Sequence, residues 1–207
     1  VFFNGRQWPV SCNQVLFYNG GNSGVQEGQA TLTGYMLFKR FNRSVSLTNP
    51  GVASQFRPSI IFRLADFYLM YAEAANEVNP NDVRVLKYLN LVRERAGLPG
   101  VETLNPAIRG NQELQRAAIQ RERQVELATE GQRYFDVRRW MIADKNGEGR
   151  QNGYAHGMNV RGEPNDIDDF NRVVEASQIV FNRKMYLYPM PDSEMRKTKN
   201  LVQNPGW

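Results

Sequence analysis

The spacing of apolar residues between positions 58 and 97 constrains the fold of this 207-residue chain more than any other feature. Apolar side chains recur there every three or four residues, which is the period of an amphipathic helix. Pro58 suits the first turn of such a helix because its missing N–H would have no partner there, and Asn79-Pro80 would end it. One face of this first predicted helix carries Ile61, Leu64, Ala65, Tyr68, Ala72 and Ala75.

A second helix is predicted directly after the first. Asp82 is a favourable N-cap, and Gly97 followed by Pro99 is typical of a helix end. The connection between the two helices is short, which makes them antiparallel neighbours. The apolar face of the second helix consists of Val85, Leu89, Val92 and Ala96.

This helical hairpin resembles a tetratricopeptide repeat. Leu64, Ala65 and Tyr68 match the start of the repeat's first helix, where a small residue lets the partner helix approach. Residues 85–92 carry apolar side chains at the spacing of the second-helix core. A single hairpin of this kind cannot bury both of its faces, because such units rely on stacked neighbours. We expect those neighbours in residues outside this chain or in a partner chain.

Two further helices are predicted in the second half of the chain. One spans about residues 112–129 with Asn111 as its N-cap, and a shorter one spans residues 132–143 after a break at Gly131. Residues 146–178 are polar and rich in Gly and Asp. A loop or a hairpin is expected there.

The last residues predict a tail that folds back onto the body of the protein. An apolar strand closed by Pro189 and Pro191 precedes a helix start that Asp192 would cap. A terminal Trp207 usually anchors a chain end by burying its ring.

The N-terminal segment differs from the rest of the chain. Residues 1–57 are rich in Gly, Asn and Ser, have no sustained helical period, and predict short strands and long loops, with residues 33–39 as one strand. The expected organisation is a segment at 1–57 that includes a ligand-facing part, and a helical region at 58–207, both within one larger domain. The predicted fold class is mainly α with loop-rich, short-strand excursions.

Composition and charge exclude several classes of protein. With 41% hydrophobic and 23% charged residues the chain is an ordinary globular protein, and no apolar run reaches the length of a membrane helix. The net charge is +5, but the arginines between positions 121 and 133 alternate with glutamates, which argues against nucleic-acid binding. The lone Cys12 cannot form an internal disulfide.

No catalytic residue, metal ligand or cofactor is predicted. Glu122 and Glu126 lie one turn apart on one helix, whereas a glycoside hydrolase needs a carboxyl pair across a shared cleft. His156 is the only histidine, which excludes a histidine-based triad, and we expect it in a water-exposed loop. The acidic residues between 163 and 169 lack the spacing of a calcium loop, and no phosphate-binding glycine motif is present.

The interleaved charges instead predict a structural role. Arginine and carboxylate side chains on neighbouring helices would pair and brace the helices against one another. The predicted network consists of Glu126, Arg133, Asp136 and Arg138.

Candidate ligand residues lie in the N-terminal segment. Flat aromatic rings stack on the C–H faces of sugars, while polar side chains fix the hydroxyl groups. Trp8 is the strongest candidate because it lies beside Pro9 in a predicted loop, and Phe17, Tyr18 and Arg6 complete the predicted site. Each aromatic ring could equally belong to the core, and that alternative stays open.

Three segments of the chain together resemble the C-terminal part of SusD/RagB-type proteins. The first joins Arg63–Ala74 with Asn90–Gly97, and the third is the tail Tyr186–Trp207, which ends in Asn-Pro-Gly-Trp. The second segment lies between them. It matches the family at Glu122, Arg123, Glu126, Leu127, Ala128, Glu130, Gly131, Arg133, Asp136, Arg138, Arg139 and Trp140.

This resemblance implies a non-catalytic, surface-exposed outer-membrane lipoprotein of Bacteroidetes that captures a glycan, or in the RagB branch a peptide, for import. The implied partner is a SusC-like TonB-dependent transporter. Family members are longer and begin with a lipidated cysteine, so the chain is expected to be a C-terminal piece that lacks the lipid anchor. A helical-repeat module that binds only protein and, less favoured, a glycoside hydrolase remain as alternatives. The family's ligand sites have no fixed motif, so no ligand residue is carried over by position.

Overall fold

A computed structural model describes residues 2–3, 6–7, 39, 60–145, 153–161 and 166–207, and most of the ordered elements within them are helices. The chain forms two compact units. One comprises residues 1–59 and 156–176, and the other comprises residues 60–155 and 177–207. The predicted division between residues 57 and 58 stays a prediction.

Helix α1 (Leu64–Val78) begins later than the sequence predicts. Arg63 precedes it in an extended conformation, with φ −142° and ψ 158°. Ile61, which was assigned to the buried face, lies before the helix and is 76% exposed. The Arg63 guanidinium is held by two carboxylates of a later helix turn, Glu126 and Glu130. These contacts fix the residue in front of the helix, so the periodic pattern extends further than the helix itself.

Helix α2 (Val83–Arg95) has the predicted start and end. The Asp82 side chain accepts a hydrogen bond from the Arg84 backbone N–H at 2.9 Å. At the other end Gly97 adopts φ +77°, and its N–H donates to the carbonyl of Glu94 while the next N–H donates to the carbonyl of Arg93. This is a Schellman arrangement, which favours glycine because a left-handed conformation carries a steric penalty for other residues.

The unit formed by residues 60–155 and 177–207 is called the helical unit below. Its core lies between α1, α2 and α4 (Gln112–Glu126). The short helix α3 (Val101–Leu104) and a 3₁₀ turn at Pro106–Ile108 connect α2 to α4 and close one end of this core. The predicted face of α2 is buried except for Ala96, which is exposed at the helix end. The buried apolar residues are Leu69, Ala72, Val85, Leu89, Val92, Val101, Ile108 and Ile119.

Buried amide side chains hold the connections between these helices. Asn90 accepts from the Val101 N–H at 3.1 Å, which places the start of α3 against α2. Gln115 donates to the carbonyls of Pro80 and Ile108, both at 3.0 Å. Because buried backbone groups need partners, these amides replace the bonds that the irregular connections cannot make themselves.

Helix α4 is capped by Asn111, as predicted, but it ends at Glu126. Thr129 has φ +67°, which a right-handed helix cannot accommodate. Helix α5 (Gln132–Arg139) follows after Gly131 and is also shorter than predicted, because Met141 adopts φ +53°. Both predicted ends were therefore too late.

The region predicted as a loop or a hairpin contains two strands, β3 (Gly153–Met158) and β4 (Val173–Ile179), which pair in a two-stranded sheet. A short helix, α6 (Ile167–Asn171), lies between them, and the Asp166 side chain accepts hydrogen bonds from the N–H groups of Asp168 and Asp169, both at 3.0 Å. Near the N-terminus β1 (Phe2–Phe3) and β2 (Arg6–Gln7) pair antiparallel. The predicted strand at 33–39 lies outside the described residues except for Lys39, which is in a turn.

The C-terminal predictions need correction. Residues 183–186 form a 3₁₀ turn, and no paired strand lies between it and Pro189. Helix α7 (Asp192–Met195) has Pro191 as its N-cap, so Asp192 is a first-turn residue that caps nothing. The Trp207 ring is 44% exposed rather than buried. Among the described residues, no helix combines the length and the apolar character needed to cross a membrane.

The outer face of α1 remains apolar and exposed. Leu64 is 62% exposed and Phe67 is 53% exposed, and Met70 and Tyr71 lie beside them. Such a face is typical of a helical-repeat unit that stacks on a neighbouring unit. The expectation that this hairpin needs further helices stays a prediction.

The end of α5 offers a test of backbone strain. Met141 occupies the left-handed position of a Schellman arrangement, in which Ile142 N–H donates to the Val137 carbonyl at 2.9 Å, and its side chain is half exposed. Met141→Gly should raise the free energy of unfolding by about 0.5–1 kcal/mol, because glycine carries no penalty there. Urea unfolding measures this change. Met141→Ala is the matched control and should give no gain, since alanine keeps the strained conformation.

Candidate functional site

A buried arginine connects three helices of the second unit. The Arg123 guanidinium of α4 donates to Asp66 of α1 and to Asp136 of α5, both at 2.9 Å. The three side chains are only 3–4% exposed. An isolated charge at such depth would cost several kcal/mol, so each group depends on the others. The flat guanidinium fork can serve two carboxylates at once, which a lysine cannot do as well.

The same network continues towards the surface through α5. Arg139 donates to Asp136 at 3.0 Å and to Glu73 of α1 at 2.7 Å, and the Trp140 indole N–H donates to Glu73 at 2.6 Å. Burial raises the pKa of Glu73, but the hydrogen bonds from Arg139 and Trp140 outweigh it and leave the pKa below its usual value. Glu73 is therefore held as a carboxylate between two helices.

A second group of ion pairs surrounds the end of α4. Arg63 donates from Nε to Glu130 at 2.7 Å and from its terminal nitrogens to the side chain and the carbonyl of Glu126. Arg95 of α2 donates to Glu126 at 2.5 Å, and Arg93 donates to Glu122 at 2.8 Å. These contacts join the start of α1 and the end of α2 to α4.

The four residues predicted as a network lie in or close to these contacts, and their action as one network stays a prediction. Glu126 and Asp136 belong to the two ion-pair groups described above. Arg133 lies 5.8 Å from the centre of the Trp140 ring, and Arg138 lies 3.5 Å from the centre of the Tyr134 ring. Both arginines thus contact aromatic faces, which attract cations.

The central residue, Arg123, is absent from the predicted network, although the sequence contains a signal for it. It lies four residues after Ile119 and four before Leu127, both of which are buried. A charged residue at that position falls inside the apolar face of the helix, and buried charges are almost always paired. The alternation of arginine with glutamate indicates ion pairs but does not show which arginine is buried.

The α4 carboxylates are arranged for structural pairing. Glu122 and Glu126 each contact arginines from neighbouring helices, and Arg93, which pairs with Glu122, is itself only 13% exposed. A general acid must carry a proton at working pH, whereas adjacent guanidinium groups favour the charged carboxylate. This geometry gives neither residue the surroundings of a hydrolytic acid.

His156 and the acidic loop were the other candidates for chemistry. His156 is exposed, as expected, but it lies on strand β3 rather than in a loop. Asp166 caps α6, and Asp169 accepts from Asn159 and Arg172. Within the part of the chain that the structure describes, no three His, Cys, Asp or Glu side chains group together as metal ligands.

The C-terminal tail folds back through polar contacts. The Trp207 indole N–H donates to the carbonyls of Lys184 and Leu187, both at 3.0 Å. Gln203 exchanges two hydrogen bonds with the backbone of Met190, at 2.8 and 3.0 Å. The predicted tail contact is present, but hydrogen bonds hold it and the Trp207 ring remains half exposed.

An open cleft lies between this tail and the end of α5. Its volume is about 770 Å³, within the range of ligand-binding sites. The described residues that line it are Arg138, Met141, Arg183, Lys184, Tyr186, Leu187, Pro205 and Gly206. A second cleft of about 390 Å³ lies at the α1–α2 connection and contains both charges, Asp82 and Glu102 together with Lys87 and Arg109. The tail cleft is therefore the larger and the more uniformly charged.

Of the four predicted ligand residues, only Arg6 lies among the described residues. Trp8, Phe17 and Tyr18 lie outside the described residues. The backbone of Arg6 belongs to β2 and pairs with Phe3. Their assignment to a ligand site stays a prediction.

The fold and these contacts define a class of protein: a helical, tetratricopeptide-like unit braced by arginines. The family model described as the SusD family matches residues 1–207. SusD-like protein P2 of Formosa agariphila is 31% identical over 151 residues, which cover 72% of this chain and 26% of that protein.

Two solved structures agree with this match. The structure of BT4246 has 33% identity and a TM-score of 0.60, covering 75% of this chain and 25% of that one. A SusD-like protein from Bacteroides fragilis has 32% identity and a TM-score of 0.56, covering 72% of this chain and 26% of its own.

The chain belongs to the SusD family, because the family model matches its whole length. The resemblance read from the three sequence segments and the mainly helical fold class are both confirmed. The chain spans about a quarter of the length of the relatives and structures it matches.

Removing the buried guanidinium should destabilise the helical unit strongly. Arg123→Met leaves Asp66 buried without its cation and takes from Asp136 one of its two arginine partners, and the free energy of unfolding should fall by about 3–5 kcal/mol. Chemical denaturation measures this loss. Arg95→Met is the matched control, since Arg95 is 61% exposed and should cost about 1 kcal/mol or less. A similar loss for both variants would contradict a special role for the buried pair.

The lowered pKa of Glu73 should make stability depend on pH. A carboxyl whose folded-state pKa lies below its unfolded value contributes stability above the unfolded value, 4.5 for Glu73, and loses it as the pH falls through the folded one. Glu73→Gln should therefore be less stable than the parent protein at neutral pH, and this difference should shrink below about pH 4. Thermal unfolding at a series of pH values tests this. Exposed Glu94→Gln is the control, and equal pH profiles for the Glu73 variant and the parent would exclude the effect.

Proposed function

We propose that the protein is a non-catalytic binding component that captures an oligosaccharide at the bacterial outer-membrane surface. The captured glycan would pass to a SusC-like TonB-dependent transporter for import. Membership of the SusD family over residues 1–207 is the observation that carries this proposal. Members of the family generally bind nutrients at the outer membrane and work with such transporters.

The helical unit supports binding rather than hydrolysis. Glycoside hydrolysis requires one carboxyl group that can donate a proton and a second one across the scissile bond. The best-placed pair by sequence, Glu122 and Glu126, is engaged with arginines from α1 and α2. These carboxylates join α4 to α1 and α2 and so contribute to the helix packing.

The ligand site proposed for the protein uses aromatic side chains of the N-terminal segment. Trp8 supplies the stacking face in this proposal, with Phe17 and Tyr18 beside it and Arg6 as a hydrogen-bond donor to hydroxyl groups. Aromatic stacking on a sugar is tolerant of sequence and linkage, so neighbouring polar groups must set specificity. The shape of the loops around these side chains determines which glycan binds.

Replacing the proposed stacking ring tests the ligand site. Trp8→Ala should weaken oligosaccharide binding by about 1–3 kcal/mol, because the lost ring removes both stacking and apolar contact. Isothermal titration with a panel of oligosaccharides measures the change. Tyr154→Ala is the matched control, since Tyr154 is 47% exposed and lies on β3 in the other unit.

Four outcomes would count against this proposal. Unchanged affinity of the Trp8 variant would remove this ring from the site, and an unfolded variant would assign it to the core. Titration with peptides in place of glycans would, if only peptides bind, favour the peptide-binding branch of the family. Reducing-sugar release that persists through purification and disappears in Glu122→Gln would support a hydrolase.

A further inference from the structure

We propose that the cleft between the C-terminal tail and the end of α5 binds the anionic group, a carboxylate or a sulfate, of an acidic saccharide. This inference rests on the proposed glycan-binding function and adds the charge of the ligand to it. None of the described residues that line the cleft belongs to the predicted ligand residues Trp8, Phe17, Tyr18 and Arg6. Four observations on the cleft carry it.

The first observation is the charge of the lining. Arg138, Arg183 and Lys184 all face the cleft, and none of the described lining residues carries a carboxylate. Asp144 lies on the adjoining turn and accepts a hydrogen bond from the Tyr186 hydroxyl at 2.6 Å. Three cations around one concave surface raise the local concentration of anions and favour their binding.

The second observation is that Arg183 and Lys184 are available for a ligand. Neither has a carboxylate within ion-pair distance among the described residues, whereas most arginines of the helical unit do. The Arg183 side chain is exposed. The Lys184 ammonium lies 4.3 Å from the centre of the Trp207 ring, which positions the charge without neutralising it.

The third observation is that the walls are already formed. The Trp207 bonds to the carbonyls of Lys184 and Leu187 hold the tail against the 3₁₀ turn that carries the cations. Gly206 adopts φ +86°, and a Cβ at this position would lie 3.0 Å from Lys184 Cβ, so the close approach of the tail requires glycine. A site that is organised before binding loses less entropy when the ligand arrives.

The fourth observation is the mixture of groups in the lining. Tyr186 supplies an aromatic ring, and Met141, Leu187 and Pro205 supply apolar surface. A pyranose ring has C–H faces that pack on such surface, while a carboxylate or sulfate matches the paired N–H groups of a guanidinium. An acidic sugar unit therefore satisfies both parts of the lining, whereas a neutral sugar offers no negative charge to Arg183 and Lys184.

The test compares acidic and neutral sugars on the intact chain. D-glucuronate and D-glucose 6-sulfate should bind at least about tenfold more tightly than D-glucose, with affinity that falls as salt is added. Saturation-transfer NMR titrations measure these weak affinities. Arg183→Gln combined with Lys184→Gln should lower the affinity for both acidic sugars by about tenfold or more. Arg183→Gln alone should give a smaller loss in the same direction, and it preserves the Lys184 contact with Trp207.

The matched control carries the same change in net charge. Arg196→Gln combined with Lys197→Gln removes two exposed cations that directly follow α7. These cations already pair with Asp192 and Glu194. This control should bind the acidic sugars as the parent protein does. Equal losses in both double variants would show a general charge effect and overturn the cleft assignment.

Three further outcomes distinguish the inference from the proposed function. Unchanged glucuronate affinity in the Arg183 and Lys184 variant overturns the cleft site, even if neutral oligosaccharides still bind in a Trp8-dependent way. Inorganic phosphate that binds as tightly as glucuronate overturns the saccharide assignment, because the cleft would then select charge alone. A parent protein that binds glucuronate at the cleft but binds no oligosaccharide contradicts the proposed function and supports the anion site.

Discussion

The helical unit depends on one buried guanidinium. Arg123 has almost no contact with solvent, and it satisfies one carboxylate of α1 and one of α5 from its position on α4. In a medium of low dielectric constant these three groups cannot separate without exposing an unpaired charge. Their spacing therefore sets how α5 lies on α1, and the outer pairs of Arg139 and Trp140 with Glu73 follow from that placement. The apolar core of α1, α2 and α4 supplies most of the burial, but it does not by itself select this arrangement.

The position of α5 in turn defines the cleft. Arg138 and Met141 lie at the end of this helix, and the tail that faces them is held by side-chain bonds to backbone carbonyls. A tail fixed by hydrogen bonds can leave its aromatic ring half exposed, whereas a tail fixed by burial cannot. Trp207 therefore has a different role from the one that its type and terminal position indicate. Its ring supports a cation at the cleft, and its N–H group closes the turn.

Local signals in the sequence were reliable where they act over a few residues. Asp82, Asn111 and Gly97 mark helix ends through bonds to neighbouring backbone groups, and all three were predicted correctly. The predicted start of α1 failed for a reason that lies in a distant part of the chain. Arg63 is held outside α1 by the carboxylates of Glu126 and Glu130, more than sixty residues away. A periodic pattern contains no information about such contacts.

The candidate site was predictable to a smaller extent than the fold. The sequence indicated an ionic network that includes Glu126 and Asp136, but charge alternation along one helix cannot show which pair is buried. The cleft joins residues 138–141 to residues 183–187 and 205–206, and no motif connects these positions.

By itself the sequence determined the helices with strong caps and apolar periods and the family resemblance carried by three separated segments. Only the tertiary structure decided that Arg123 is the charge at the centre and that the tail forms one wall of a cationic cleft. The physical reason is that the energy of a charge depends on its depth and on its partners. Both are properties of the folded chain rather than of residue order.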